Sequence, residues 1–129
     1  MRHGILRGLA LAGPLLLTQG CTGTEVLCAA PSIPSAVAVV VRDSVTGALL
    51  TDSAYGAVTG KGQTDSLYHG GPFSFGDSVL VGGTVVGTVT VEVRRSGYQP
   101  WVDSTVKTRL SGGDCPDFVT KHLTARMQP

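Results

Sequence analysis

From residue 36 onward, valine and threonine alternate with polar residues in short runs, and each run closes on glycine, proline, serine or aspartate. Successive side chains of a strand point to opposite faces, so a rhythm of two predicts strands. The first run covers residues 36–42, with Val37, Val39 and Val41 on one face, and residues 43–47 form a turn. A second strand is predicted over 48–59, closed by Gly60-Lys61-Gly62, and a third, short and polar, over 63–69 near a sheet edge. Residues 73–81 read as a loop with a short strand, turned by Gly82-Gly83. Over 85–94 the alternation is clean: Val89, Val91 and Val93 face one way, Thr88, Thr90, Glu92 and Arg94 the other. A strand over 98–110 gives Val102, Val106 and Leu110 one parity, and a last one over 118–127 puts Val119, Leu123 and Met127 on its apolar face. No segment sustains a helical period. Seven short antiparallel strands predict an all-β Greek-key sandwich.

The first 20 residues break this rhythm. Arg2 and Arg7 lie in a short basic start, and residues 8–17 are apolar but interrupted by Gly13-Pro14. The stretch is shorter than the roughly 20 apolar residues that span a bilayer. It has the order of a secretory signal: basic, apolar, then a small residue at the cut. Three units follow: a signal peptide (1–20), a short tether (21–35) and one sandwich domain (36–129).

Leu15-Leu16-Leu17-Thr18-Gln19-Gly20-Cys21 resembles a bacterial lipobox, in which the cysteine becomes a lipidated N-terminus. Gly20 and Cys21 match; Thr18 and Gln19 depart from the usual leucine and small residue. The resemblance implies a diacylglycerol thioether on Cys21 and an acyl chain on its amine, and each buried CH₂ would contribute about 0.8 kcal/mol to anchoring. Thr22 follows the cysteine where aspartate would signal inner-membrane retention, so the outer membrane is the expected destination. The plainer alternative is ordinary cleavage after Gly20, leaving Cys21 a thiol.

Cysteine arithmetic bears on the choice. An exported chain with three cysteines, Cys21, Cys28 and Cys115, needs an account of the odd one. If Cys21 carries lipid, Cys28 and Cys115 remain as a pair that an oxidising compartment would join. Pairing of Cys21 with either is the rival, and it requires an unlipidated Cys21. There is no Cys-x-x-Cys, which argues against redox catalysis and a zinc ribbon.

Charge excludes one class of partner. Without Arg2 and Arg7 the chain keeps 8 basic and 9 acidic side chains, and Arg94-Arg95 is its only basic pair. Nucleic-acid binding needs clustered lysine and arginine, so none is expected, and the pair reads as an exposed strand end. Asparagine is absent and glycine numbers 18, so turns rest on glycine, aspartate, serine and proline.

Candidate chemistry is sparse. His69 ends the third strand and His122 faces outward on the last, as isolated surface residues. Asp77, Asp114 and Asp117 lack calcium-loop spacing and read as loop caps. Residues 56–62 fail as a phosphate loop, with one residue too few between glycines and glycine where serine or threonine is needed. Ser74 among glycines is not a nucleophile elbow. No catalytic residue, metal ligand or cofactor is assigned, and no enzymatic turnover is expected. Tyr98 and Trp101, with Phe73, are the candidate aromatic binding patch. Their exposure in one patch would favour binding; burial would favour a structural role.

Residues 37–50, reading VAVVVRDSVTGALL, resemble the opening of a carboxypeptidase regulatory-like domain: a valine-rich strand, Asp43, Thr46-Gly47, Ala48 and Leu49. Tyr55-Gly56-Ala57-Val58 stands where that family has Gly-Ala-x-Val, and Gly87 to Val93 with Ser96-Gly97-Tyr98 resembles its late strand and Gly-Tyr ending. Val89 departs, where many members carry an aromatic. The resemblance covers residues 36–127 and implies an immunoglobulin- or transthyretin-like sandwich that stiffens, positions or presents, without peptidase activity. The expected partners are the membrane, through the lipid, and an envelope protein or polysaccharide. The competing function is a carbohydrate- or peptide-binding module displayed at the cell envelope.

Overall fold

The computed structural model describes residues 27–28, 35–70 and 78–129. The signal peptide, Cys21 and most of the tether lie outside the described residues, as do Phe73, Ser74 and Asp77. Two sheets pack face to face. The strands are β1 (Val37–Asp43), β2 (Tyr55–Gly60), β3 (Gln63–Ser66), β4 (Tyr68–His69), β5 (Leu80–Gly82), β6 (Gly87–Arg94), β7 (Trp101–Leu110), β8 (Phe118–Val119) and β9 (Lys121–Met127). One sheet has the order β4-β5-β1-β9, the other β3-β2-β6-β7-β8.

The seven predicted segments become nine described strands because two of them change sheets midway. Between β3 and β4 the chain crosses at Leu67, which is buried between the layers and donates its N–H to the Gly56 carbonyl at 2.8 Å. Gly56 permits this approach: a Cβ there would lie 2.3 Å from the Glu92 carbonyl oxygen and 3.1 Å from Leu67 Cδ1. The second crossing is at Thr120, whose hydroxyl donates to the Ser35 carbonyl at 3.1 Å, while Lys121 N–H donates to Ala36 O at 2.8 Å. The crossing delivers β9 to β1 in parallel, from Val37↔Lys121 to Asp43↔Met127. The expectation of a wholly antiparallel sandwich is therefore corrected. A parallel neighbour needs a long return connection, and here the whole domain supplies it.

The second strand is shorter than expected. It begins at Tyr55 because residues 48–54 fold back on β1. Leu50 N–H donates to Val41 O at 2.8 Å, and Thr51, fully buried in a short 3-10 turn, accepts the Val41 N–H on Oγ1 at 3.1 Å. The β2–β3 hairpin turns at Lys61 and Gly62, with φ of 50° and 75°, the paired left-handed geometry of a tight two-residue turn.

Val37, Val39, Val41, Val58, Val89, Val91, Val93, Leu80, Ala125 and Met127 form the core between the sheets. The predicted faces of β1, β6 and the end of β9 hold. On the far face of β1, Ala38 joins Val79 and Val81 in a second buried cluster, with Val40 packed against it. Burial on both faces accounts for the unbroken apolar run of this strand.

In β7 the shared parity of Val102, Val106 and Leu110 is corrected. Val106 is buried, but Val102 is 52% and Leu110 41% exposed. Val89 pairs Val106 whereas Val91 pairs Asp103, so one extra residue of β7 sits opposite Thr90. This β-bulge puts Val102 on the opposite face from Val106, whereas Leu110 keeps the parity of Val106 and is exposed as the last residue of the strand. The Asp103 carboxylate caps it, accepting from Thr105 N–H at 2.9 Å and Thr105 Oγ1 at 2.8 Å.

Candidate functional site

Cys28 and Cys115 form a disulfide with Cα atoms 5.4 Å apart, within the usual range for such bonds. It fastens the chain ahead of β1 to the loop before β8. On that loop Asp117 accepts the Phe118 N–H at 2.7 Å and donates its own N–H to Ser111 Oγ at 3.0 Å, the capping role expected of it. Among the described residues, no group of three or more His, Cys, Asp and Glu side chains is placed to hold a metal ion. His69 bonds through Nε2 to the Thr51 carbonyl at 3.0 Å, and His122 lies exposed on β9.

Tyr98 and Trp101 are half-buried and packed against the core edge. The Tyr98 hydroxyl donates to Asp43 Oδ2 at 2.7 Å, while Asp43 Oδ1 accepts the N–H groups of Val45 at 2.7 Å and Thr46 at 2.9 Å. Arg95 stacks on the Tyr98 ring, 5.1 Å from its centroid, and donates through Nε to Ser53 Oγ at 2.5 Å. This polar knot ties the β1 turn to the β6–β7 turn. The tyrosine's polar end is thus spent inside the domain.

The Tyr98 hydrogen bond, followed by those from Thr46 and Val45, holds the Asp43 carboxyl below its ordinary value of 3.8. The same bond pushes Tyr98 above its ordinary value of 10.0. A carboxylate depressed in the folded state stabilises the fold above its unfolded pKa, and that stabilisation is lost as pH falls through the folded pKa. Tyr98→Phe is therefore expected to lower stability at neutral pH and to flatten the loss on acidification between about pH 5 and pH 2. Urea midpoints measured across that range check it. Asp65 and Asp103 are also depressed, the first chiefly by Gln63 and the second chiefly by the Thr105 N–H, and they titrate in both proteins. The difference between the two curves therefore reports Asp43. Superimposable curves would refute the role of the bond.

A concave feature among the described residues lies elsewhere, on the solvent face of the β3-β2-β6 sheet. A hollow of about 400 Å³ is lined by Tyr55, Gly56, Ala57, Thr59, Thr64, Ser66, Thr90, Glu92 and Arg94. Its size is within the range of small-ligand sites, about 300–1,000 Å³. Strand register explains its shape. Ala57 sits between Ser66 on β3 and Glu92 on β6, so a methyl group forms the floor. One row away, Thr59 lies between Thr64 and Thr90, with the Thr59 and Thr64 hydroxyls 3.1 Å apart. On the other side Tyr55, 61% exposed, pairs with Arg94, which is salt-bridged to Glu92 through Nε. The clean alternation of β6 signalled that Thr90, Glu92 and Arg94 face outward. That they meet Tyr55 and Thr59 depends on pairing, which no local pattern carries. Compared with family models and with curated proteins, the chain matches none.

Proposed function

We propose that this chain is a non-catalytic envelope lipoprotein. It is exported, cleaved after Gly20 and held by lipid on Cys21, with the outer membrane as its place, and its sandwich engages an envelope protein or polysaccharide. The observation that carries the reading is the Cys28–Cys115 disulfide. It pairs two of the three cysteines and leaves Cys21 for the lipid, and a bond of this kind is consistent with an exported protein. Among the described residues no helix is long and apolar enough to cross a membrane. With Cys21 seven residues ahead of Cys28, the lipid would hold the domain close to the bilayer. The resemblance to the carboxypeptidase regulatory-like family, with its transthyretin-like Greek-key sandwich, belongs to the same proposal. Its support is the two-sheet architecture and the Asp43 turn, where the family-like residues bond to Tyr98.

Metabolic labelling with a palmitate analogue tests the anchor. The wild-type chain is expected to take up label and fractionate with membranes, and Cys21→Ser to do neither. Equal labelling of both, or of neither, overturns the lipoprotein reading. A second reading, a carbohydrate- or peptide-binding module, is favoured by the hollow over Ala57.

A further inference from the structure

We infer that the β3-β2-β6 face is a binding site for a neutral saccharide, seated on the Ala57 floor with a sugar ring against Tyr55. The inference rests on the second reading above and names its site and ligand class.

The backbone excludes one kind of ligand. β2 is paired on both sides, to β3 and β6, and β6 on both sides, to β2 and β7. Their main-chain groups are committed to those ladders, so a peptide cannot join over the Ala57 floor by strand addition, which requires a free sheet edge; such an edge exists only at β3, on one side of the hollow. Whatever sits in the hollow is held by side chains. Those on offer are the hydroxyls of Thr59, Thr64, Ser66 and Thr90, the Glu92–Arg94 pair and the Tyr55 ring.

Charge and polarity narrow the class. Arg94 is the one cation of the lining and is neutralised by Glu92, so the site has no excess charge for a phosphate or carboxylate. The hydroxyl rows make it a poor seat for a purely apolar ligand, whose burial would strip them of water without replacing the hydrogen bonds. A saccharide satisfies both demands. Its hydroxyls donate to and accept from threonine and serine, and its C–H faces pack on an exposed aromatic ring that is apolar on its face and polar at its tip. Tyr55 is 61% exposed, with Arg94 across from it on β6 and only the small Ala57 next on the same face of its own strand, so the side of its ring toward the floor is open to a flat partner.

The full chain, expressed with its own leader and purified from membranes in mild detergent, is titrated with malto-, cello-, chito- and mannohexaose. Binding is read by amide NMR shifts and by calorimetry. At least one hexaose is expected to bind saturably below about 10 mM, with shifts concentrated at Tyr55, Ala57, Thr59, Thr90 and Glu92. Tyr55→Ala should weaken it about tenfold or more, and Ala57→Leu, which fills the floor and removes no hydroxyl, should do the same. Tyr68→Ala, on an exposed tyrosine of the other sheet, should leave it unchanged; circular dichroism confirms that each variant is folded. Binding that survives Tyr55→Ala and Ala57→Leu sinks this site while leaving the module a sugar binder. Failure of all four hexaoses, or a response of this face to inorganic phosphate instead, overturns the inference. Palmitate labelling is independent of either result.

Discussion

Removing the Cys28–Cys115 bond, by reduction or as paired Cys28→Ser and Cys115→Ser, is expected to lower the stability of the domain by up to about 4–5 kcal/mol. The two cysteines are 87 residues apart, and seven of the nine described strands, β1 to β7, lie between them. Joining the ends of so long a loop removes much of the freedom of the unfolded chain, which is the chief source of a disulfide's effect. Small domains have total stabilities of about 5–15 kcal/mol, so the loss would be a large share. The fold without the bond depends on a core made mostly of valine. Urea unfolding with and without reductant, read by tryptophan fluorescence at Trp101, measures the effect. A midpoint unmoved by reductant would mean that the bond only pins the tether and adds nothing to the sandwich.

The second large effect is expected at Leu80. Leu80→Ala should cost about 2–5 kcal/mol, the range for emptying a fully buried leucine site. Leu80 is completely buried and opposes His69 on β4 and Val39 on β1. Its strand is only three residues long, and around it most core positions are valines too short to refill the space. Val102→Ala provides the contrast. Val102 is 52% exposed above the bulge, and its loss should fall within about 0.5 kcal/mol. Chemical denaturation of the two variants decides the matter. Equal costs would contradict both the burial of Leu80 and the outward turn of Val102.

These two residues also mark where local pattern stops being informative. Leu80 lies in a segment that reads as a loop with a short strand, because three residues are too few to show a period. Val102 has the right spacing for a core residue, yet the bulge opposite Thr90 turns it to solvent. A bulge depends on how two strands align, and that is absent from either strand alone.

Where one face of a strand is dry and the other wet, the chain states its own structure. The alternation of β6 marked Val89, Val91 and Val93 as core and Thr90, Glu92 and Arg94 as surface, and each lies so. The turns at Asp43 to Gly47 and at Lys61-Gly62 were likewise legible, because aspartate caps and glycine conformations are local. Cysteine count left Cys28 and Cys115 as the even pair once Cys21 is set aside, and the structure joins them.

The all-β character, the turn positions and the inward face of β6 thus belong to the sequence by itself, since they follow from side-chain alternation and local backbone preference. The sheet changes at Leu67 and Thr120, the parallel pairing of β1 with β9, and the meeting of Tyr55, Thr59, Thr90 and Glu92 around Ala57 were decided only by the tertiary structure. Each of these joins residues distant in the chain. Their contact arises from packing two sheets over one shared core, and no short stretch of sequence contains both partners of such a pairing.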